Sequence, residues 1–269
     1  MIFSLAEFFQ YGFAVRALEA GIIVAFLAPL IGIFLVLRRY SLIADTFSHV
    51  SLAGLAAGLL LGINPILTAL GVTVIASLGI ERLRASQKVY GESALAVLMT
   101  GSLALAVVLM GLGRGLNVNL LNYLFGSIVT VSPSDVALIA FLGVLVACVL
   151  ASFHKELVYA SFDEESARVS GIPTGSVNTV LIILSAFTVS LAIPVVGILL
   201  ISALMVIPVV AALQLKKSFA ATVWYAEGIS LSATVAGIFL SFAYDLPTGG
   251  TIVLIMIGIL ALILARPER

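Results

Sequence analysis

The feature that most constrains this sequence is a succession of apolar runs, each about as long as a bilayer is thick, separated by short clusters of charge. A helix needs roughly 20 mostly apolar residues to cross the hydrocarbon layer. Such runs occupy residues 17–37, 43–62, 64–80, 94–113, 135–152, 177–194, 196–215, 221–241 and 249–265. They are too long for barrel strands, and lipid offers an unpaired backbone group no partner, so helices are the element that fits. The least marked divisions are Gly62-Ile63-Asn64-Pro65 and Pro194. The expected fold is therefore all-α: a polytopic helical membrane protein with eight or nine transmembrane helices, nine being preferred. Only 10% of the 269 residues are charged, against roughly 25% in soluble domains. We expect one membrane domain over residues 1–269 and no soluble domain.

The basic residues give this count an orientation. With Arg38 and Arg39 in the cytoplasm and strict alternation, Arg82, Arg84, Lys88, Lys155, Arg168, Lys216, Lys217, Arg266 and Arg269 also fall inside. That is eleven of the thirteen Lys and Arg residues, with only Arg16 and Arg114 outside. Cytoplasmic loops carry such an excess, so the N-terminus is expected outside and the C-terminus in the cytoplasm. The net charge of zero leaves no basic surface for nucleic acid. Cys148 is the one cysteine, which rules out a disulfide within the chain, and a packing role is expected. The segment Met1 to Arg16 lacks the basic start and small-residue cleavage site of a signal peptide.

Ionisable side chains inside a membrane are costly and point to function by default. The clearest instance is Asp45-Thr46-Phe47-Ser48-His49, which follows Arg38-Arg39. Residues four apart share a helix face, so Asp45 and His49 point the same way. A carboxylate oxygen and an imidazole nitrogen suit zinc, manganese or iron(II). Two ligands do not complete a shell, so others would come from elsewhere. The competing readings are an Asp45–His49 hydrogen bond that fixes packing, or an ion pair of Asp45 with Arg38 or Arg39. His154, beside Lys155 and Glu156, reads as a solvated interfacial residue. Glu227 lies mid-span and is expected to pair across helices. Asp135 follows Ser132-Pro133-Ser134, where Ser134 or Asp135 can cap a helix. Asp245-Leu246-Pro247-Thr248-Gly249-Gly250 reads as an outer turn. Pro29 and Pro208 fall inside spans and favour kinks.

The longest charged segment, residues 153–173, contains a short helix with its own start and stop signals. Ser161 and Glu164 have capping-box spacing. Asp163, Glu164 and Glu165 load its positive end and Arg168 its negative end. Gly171 can close it, with Pro173 beyond. Such a helix near 161–171 is either a docking knob or an ordinary amphipathic connector. The chain has no G-x-x-x-x-G-K-[ST] phosphate loop, so any ATP-driven activity needs another chain to hydrolyse the ATP. Neither a G-x-S-x-G elbow nor an H-E-x-x-H helix is present, which weighs against an intramembrane hydrolase.

Taken in order, Arg38-Arg39, Ala44-Asp45-Thr46-Phe47-Ser48-His49, Tyr123-Leu124-Phe125-Gly126-Ser127, Val131-Ser132-Pro133-Ser134-Asp135, the stretch from Asp163 to Gly171 and Asp245-Leu246-Pro247-Thr248-Gly249 resemble the permease subunits of bacterial ABC-type zinc/manganese/iron importers. The resemblance covers nearly the whole chain and is strongest to the zinc branch. It implies the vitamin-B12-importer-like (type II) permease fold and a homodimeric or pseudo-dimeric permease in the bacterial cytoplasmic (inner) membrane. Two cytoplasmic ABC ATPase subunits would drive it, and an extracytoplasmic metal-binding protein or lipoprotein would deliver the ion. The family's metal-contact Asp and His fall on Asp45 and His49. Its coupling segment falls on Asp163, Glu164, Glu165, Arg168 and Gly171. No permanently bound cofactor and no catalytic activity of its own are implied; the metal is cargo. At Ser127 this sequence departs from many relatives, which carry an acidic residue there.

The rival readings are a secondary transporter using Asp45 or Glu227 as a proton or sodium site, an intramembrane enzyme using Asp45 and His49, and a non-transporting scaffold.

Overall fold

The computed structural model describes residues 5–85, 91–113, 124–127, 129, 131–198 and 200–265. Lys88, Arg114, Tyr123, Arg266 and Arg269 lie outside them. Among the described residues the regular structure is entirely helical. A turn of helix, α1 (Leu5–Phe8), precedes α2 (Gly12–Leu37), α3 (Ser41–Leu61), α4 (Pro65–Ala85) and α5 (Gly91–Leu112). Then come α6 (Pro133–Ser152), two short helices α7 (His154–Phe162) and α8 (Glu164–Val169), and α9 (Thr174–Val196). The chain ends with α10 (Ile201–Leu213), α11 (Phe219–Tyr244) and α12 (Thr248–Leu264).

Each of the nine expected spans is present as a helix. Seven are long and apolar enough to cross a membrane, and α10 and α12 are shorter apolar helices of 13 and 17 residues. At 1.5 Å per residue they measure about 20 and 26 Å, against about 30 Å of hydrocarbon. The boundary between α9 and α10 differs from the sequence expectation. The chain stays helical through Pro194 to Val196 and breaks at Gly197, whose φ is +83°. A Cβ there would collide with Leu124 O and the Phe125–Gly126 backbone, so only glycine lets the two chain segments cross.

The interior is built from α2, α3 and α9, with α10 and α11 packed on α2, and α4, α5 and α6 toward the outside. Interhelical contact in lipid favours small residues and hydroxyls. Gly54 and Gly58 bring α3 against Ala69, Thr68 and Pro65 of α4. Ser51 Oγ lies 2.8 Å from Thr73 Oγ1 of α4 and 3.5 Å from Ser190 Oγ of α9. Pro29, inside α2, has no N–H for the carbonyl of Ala25. The Ser230 hydroxyl on α11 donates to that carbonyl at 2.7 Å, a substitution of partner that membrane helices with proline require.

Two expectations are corrected. The cap of α6 is Ser132, not Ser134 or Asp135. Its hydroxyl accepts from Asp135 N (3.2 Å) while Ser132 N donates to Asp135 Oδ2 (3.0 Å), a reciprocal capping box with Pro133 at its first turn. Cys148 is exposed on α6 rather than packed; a thiol is apolar enough to face hydrocarbon.

Candidate functional site

Helix α3 begins directly after a tight corner. Arg39 adopts the left-handed conformation (φ 60°), and Tyr40 N donates back to Leu35 O at 2.7 Å. Asp45 lies about 6 Å and His49 about 12 Å along α3 from Ser41. Their neighbours Thr46 and Ser48 are buried and turn their hydroxyls back onto Leu42 O and Ala44 O, each at 2.9 Å. Asp45 and His49 are instead half-buried, on the stripe of α3 that this chain leaves least covered. Neither alternative reading of the pair is realised. Among the described residues no hydrogen bond joins Asp45 to His49, and no ion pair joins Asp45 to Arg38 or Arg39. His49 Nδ1 is closed off from solvent with no hydrogen-bond partner among the described residues. No group of three or more His, Cys, Asp or Glu side chains forms among the described residues.

The charged loop folds as two helices rather than one. Ser161 sits in the last turn of α7 and donates to Leu157 O at 2.6 Å. The cap of α8 is Asp163, which accepts from Ser166 N at 2.9 Å and from Ser166 Oγ. The Ser161–Glu164 capping box is therefore replaced by an Asp163 cap. The hydrogen bonds from the Ser166 hydroxyl and then its amide hold the Asp163 carboxyl below its ordinary value of 3.8. Gly171 closes the helix as expected. Its φ is +87°, Gly171 N bonds Arg168 O and Ile172 N bonds Ala167 O, the paired bonds of a Schellman stop. Arg168 pairs with Glu164 at 3.6 Å; the pair is exposed and contributes little. Around these charges stand exposed apolar side chains: Val169 (90%), Phe162 (63%) and Tyr159 (41%). A groove of about 420 Å³ lined by His154, Lys155, Val158, Tyr159, Phe162 and Phe219 lies beside α7.

At the opposite end of the bundle the α9–α10 break, the segment 124–127 and the start of α12 converge. A Cβ on Gly249 would strike Val196 O and Phe125 O. Irregular backbone at membrane depth is tolerated where protein buries it or a cavity borders it. A cavity of about 470 Å³ adjoins this point, with Phe125, Ser127, Ser241, Phe242, Asp245 and Thr248 among its walls. Asp245 ends α11 in the left-handed conformation (φ 53°), as the expected turn requires.

Glu227 corrects another expectation. It is 3% exposed in α11, and neither carboxyl oxygen has a hydrogen-bond partner among the described residues. The cross-helix pairing expected for it is not made.

The sequence reading missed Asn178 and the side chain of Arg38. The Arg38 guanidinium donates from Nε to Ser161 Oγ at 2.9 Å and from Nη1 to Asn178 Oδ1. Asn178 Nδ2 donates to Glu164 Oε1 at 3.3 Å. Only Arg38 carried a sequence signal, as a charge at the end of an apolar run.

Residues 10–266 match the ABC 3 transport family. A "Probable metal transport system membrane protein" of Treponema pallidum (strain Nichols) is 35% identical over 259 residues, covering 96% of this chain and 97% of that protein. The "High-affinity zinc uptake system membrane protein ZnuB" of Haemophilus influenzae is 30% identical, covering 94% of this chain and 97% of its own. The "Manganese transport system membrane protein MntC" of Halalkalibacterium halodurans is 29% identical, covering 97% of this chain and 90% of its own. Among solved structures, PsaBC from Streptococcus pneumoniae in complex with Fab superposes with a TM-score of 0.86 at 26% identity, over 97% of this chain and 95% of that one.

Proposed function

Because the chain belongs to the ABC 3 transport family, whose relatives are metal transport membrane proteins, we propose that it is the membrane-spanning permease of an ATP-driven importer of divalent transition metal ions, with zinc as first cargo. The relatives' names divide among zinc, manganese and iron at nearly equal identity. The ordering of zinc before manganese and iron(II) rests on the resemblance around Asp45 and His49.

The observation that carries the reading is the half-buried Asp45–His49 pair, unpartnered among the described residues, with His49 Nδ1 closed off from water. Two copies of the chain meet with these stripes facing one another and line a central path. The pair gives an arriving cation a transient, incomplete shell, because conduction requires binding weak enough to release. A metal-binding protein or lipoprotein delivers the ion at the end bearing the 470 Å³ cavity. ABC ATPase subunits, which supply the phosphate-binding chemistry this chain lacks, dock at the α7–α8 end. There Val169, Phe162 and Tyr159 present apolar surface amid charge, the mark of a contact surface. This end faces the cytoplasm and the N-terminus lies outside, in a bacterial inner membrane. Residues 1–269 act as a single permease domain with its coupling helix near 161–171.

The test is uptake of zinc, manganese and iron(II) into vesicles containing permease and ATPase. Asp45→Ala and His49→Ala variants that still assemble with the ATPase are expected to take up metal at background rate. Normal uptake in both removes these residues from the pathway. Glu227, without a hydrogen-bond partner among the described residues, favours a second reading, an ion-coupled secondary transporter. That reading requires gradient-driven uptake without any ATPase.

A further inference from the structure

We propose that Arg38 is the positioning residue that transmits movement of the cytoplasmic helices α7 and α8 to the start of α3, and so to Asp45 and His49. The proposal rests on the permease reading above and adds the route by which an ATPase would act on the metal site.

The chain of polar contacts has a fixed direction. The Ser161 hydroxyl spends its proton on Leu157 O, so toward Arg38 Nε it can only accept. Asn178, 6% exposed, accepts through Oδ1 from Arg38 and donates through Nδ2 to Glu164. Its amide orientation is set from both sides. Glu164 in turn pairs with Arg168. One guanidinium therefore holds α7 through Ser161 and reaches α8 through Asn178 and Glu164. A planar fork that serves two acceptors at once is what arginine provides and lysine does not.

Arg38 caps the end of α2 and stands seven residues before Asp45. Between them lies the tight corner, with Arg39 left-handed and Tyr40 N bonded to Leu35 O. A corner of three residues held this way has little slack. When α8 shifts against α9, the pull on the guanidinium falls on the first turn of α3; Asp45 lies just beyond that turn and His49 one turn later. The contacts span 123 and 140 residues of sequence, so they tie together elements that local structure does not.

A transmitting contact differs from a structural pin in one measurable respect. Coupling is the factor by which one ligand changes the affinity for another. In the purified permease–ATPase complex, zinc affinity is measured with and without a non-hydrolysable ATP analogue, and manganese affinity alongside. The wild-type ratio is expected to lie in the ordinary allosteric range of about 5–150-fold. Arg38→Gln is expected to bring it within about twofold of one while leaving nucleotide-free affinity unchanged. Asn178→Leu is expected to reduce it too, and the double variant to be no worse than Arg38→Gln alone, because both break one chain. Arg38→Lys, which keeps the charge and loses the fork, is expected to fall between; it decides the matter should Arg38→Gln fail to assemble. A wild-type ratio retained in Arg38→Gln or Arg38→Lys, or losses that multiply in the double variant, would overturn the proposal. A wild-type complex with no ATP-dependent uptake overturns the permease reading instead.

Discussion

The Pro29–Ser230 contact makes a quantitative prediction about how α2 is kept intact. Pro29 leaves Ala25 O without its helical donor, and the fully buried Ser230 hydroxyl replaces it at 2.7 Å. Ser230→Ala strands a carbonyl where water does not reach. A buried unsatisfied acceptor costs roughly 1–3 kcal/mol in proteins generally. Side-chain hydrogen bonds measured within a membrane protein average about 0.6 and reach about 1.7 kcal/mol, because the unfolded state in lipid also finds partners. The expected loss for Ser230→Ala is therefore about 1 kcal/mol. In a Pro29→Ala background the backbone N–H of residue 29 is restored and can serve Ala25 O, so the same substitution is expected to cost about nothing. The assay is a double-mutant cycle on reversible unfolding in mixed micelles. A coupling energy of about 1 kcal/mol between positions 29 and 230 supports the assignment. Equal costs for Ser230→Ala in both backgrounds would refute it, and would mean that the hydroxyl contributes only by packing.

Two further outcomes follow from local geometry. Gly197→Ala combines a φ of +83° with a Cβ driven into the 124–126 backbone; the strain alone exceeds about 1 kcal/mol, and a visible drop in thermal midpoint with loss of assembled complex is expected. For Asp163 the sign is that of a depressed carboxylate. Its capping contribution is complete above the ordinary value of 3.8 and is lost as pH falls through the lower value of the folded state. Exchange protection of the Ser166 amide is thus expected to stay constant through the neutral range and to fall only in strong acid, whereas Asp163→Ala removes it at every pH.

The helical membrane architecture was legible because a span needs only length and apolarity, and both are local. The α9–α10 boundary was not. Pro194 looked like the breaker, but a helix continues past a proline where neighbouring elements satisfy the freed group. What stops α9 is the positive φ of Gly197, enforced by segment 124–127 crossing it. Asp45 and His49 stood out in sequence because charge amid apolar residues is conspicuous. Ser161 was misread for the opposite reason. The S-x-x-E pattern is satisfied locally, yet Asp163 offers a stronger acceptor to Ser166, and Ser161 is already engaged by Arg38. Glu227 was expected to be paired because a lone carboxylate in hydrocarbon is costly. Its isolation among the described residues is a fact that only the packed arrangement reveals.

The surroundings of Asp45 and His49 differ from those of the polar groups that hold the bundle together. Polar groups that a fold buries for its own stability are satisfied within it, as Ser51, Thr46 and Ser230 are. Asp45 and His49 are only half-buried, and His49 Nδ1 is unmet among the described residues. A transition metal such as zinc takes about four ligands. In the homodimer proposed above, a twofold-related copy would bring an identical second pair, because a two-fold interface repeats the same patch on both sides. Under the permease reading proposed above, two such pairs facing across the axis would share a single passing ion, one for every two chains, in a shell loose enough to release it.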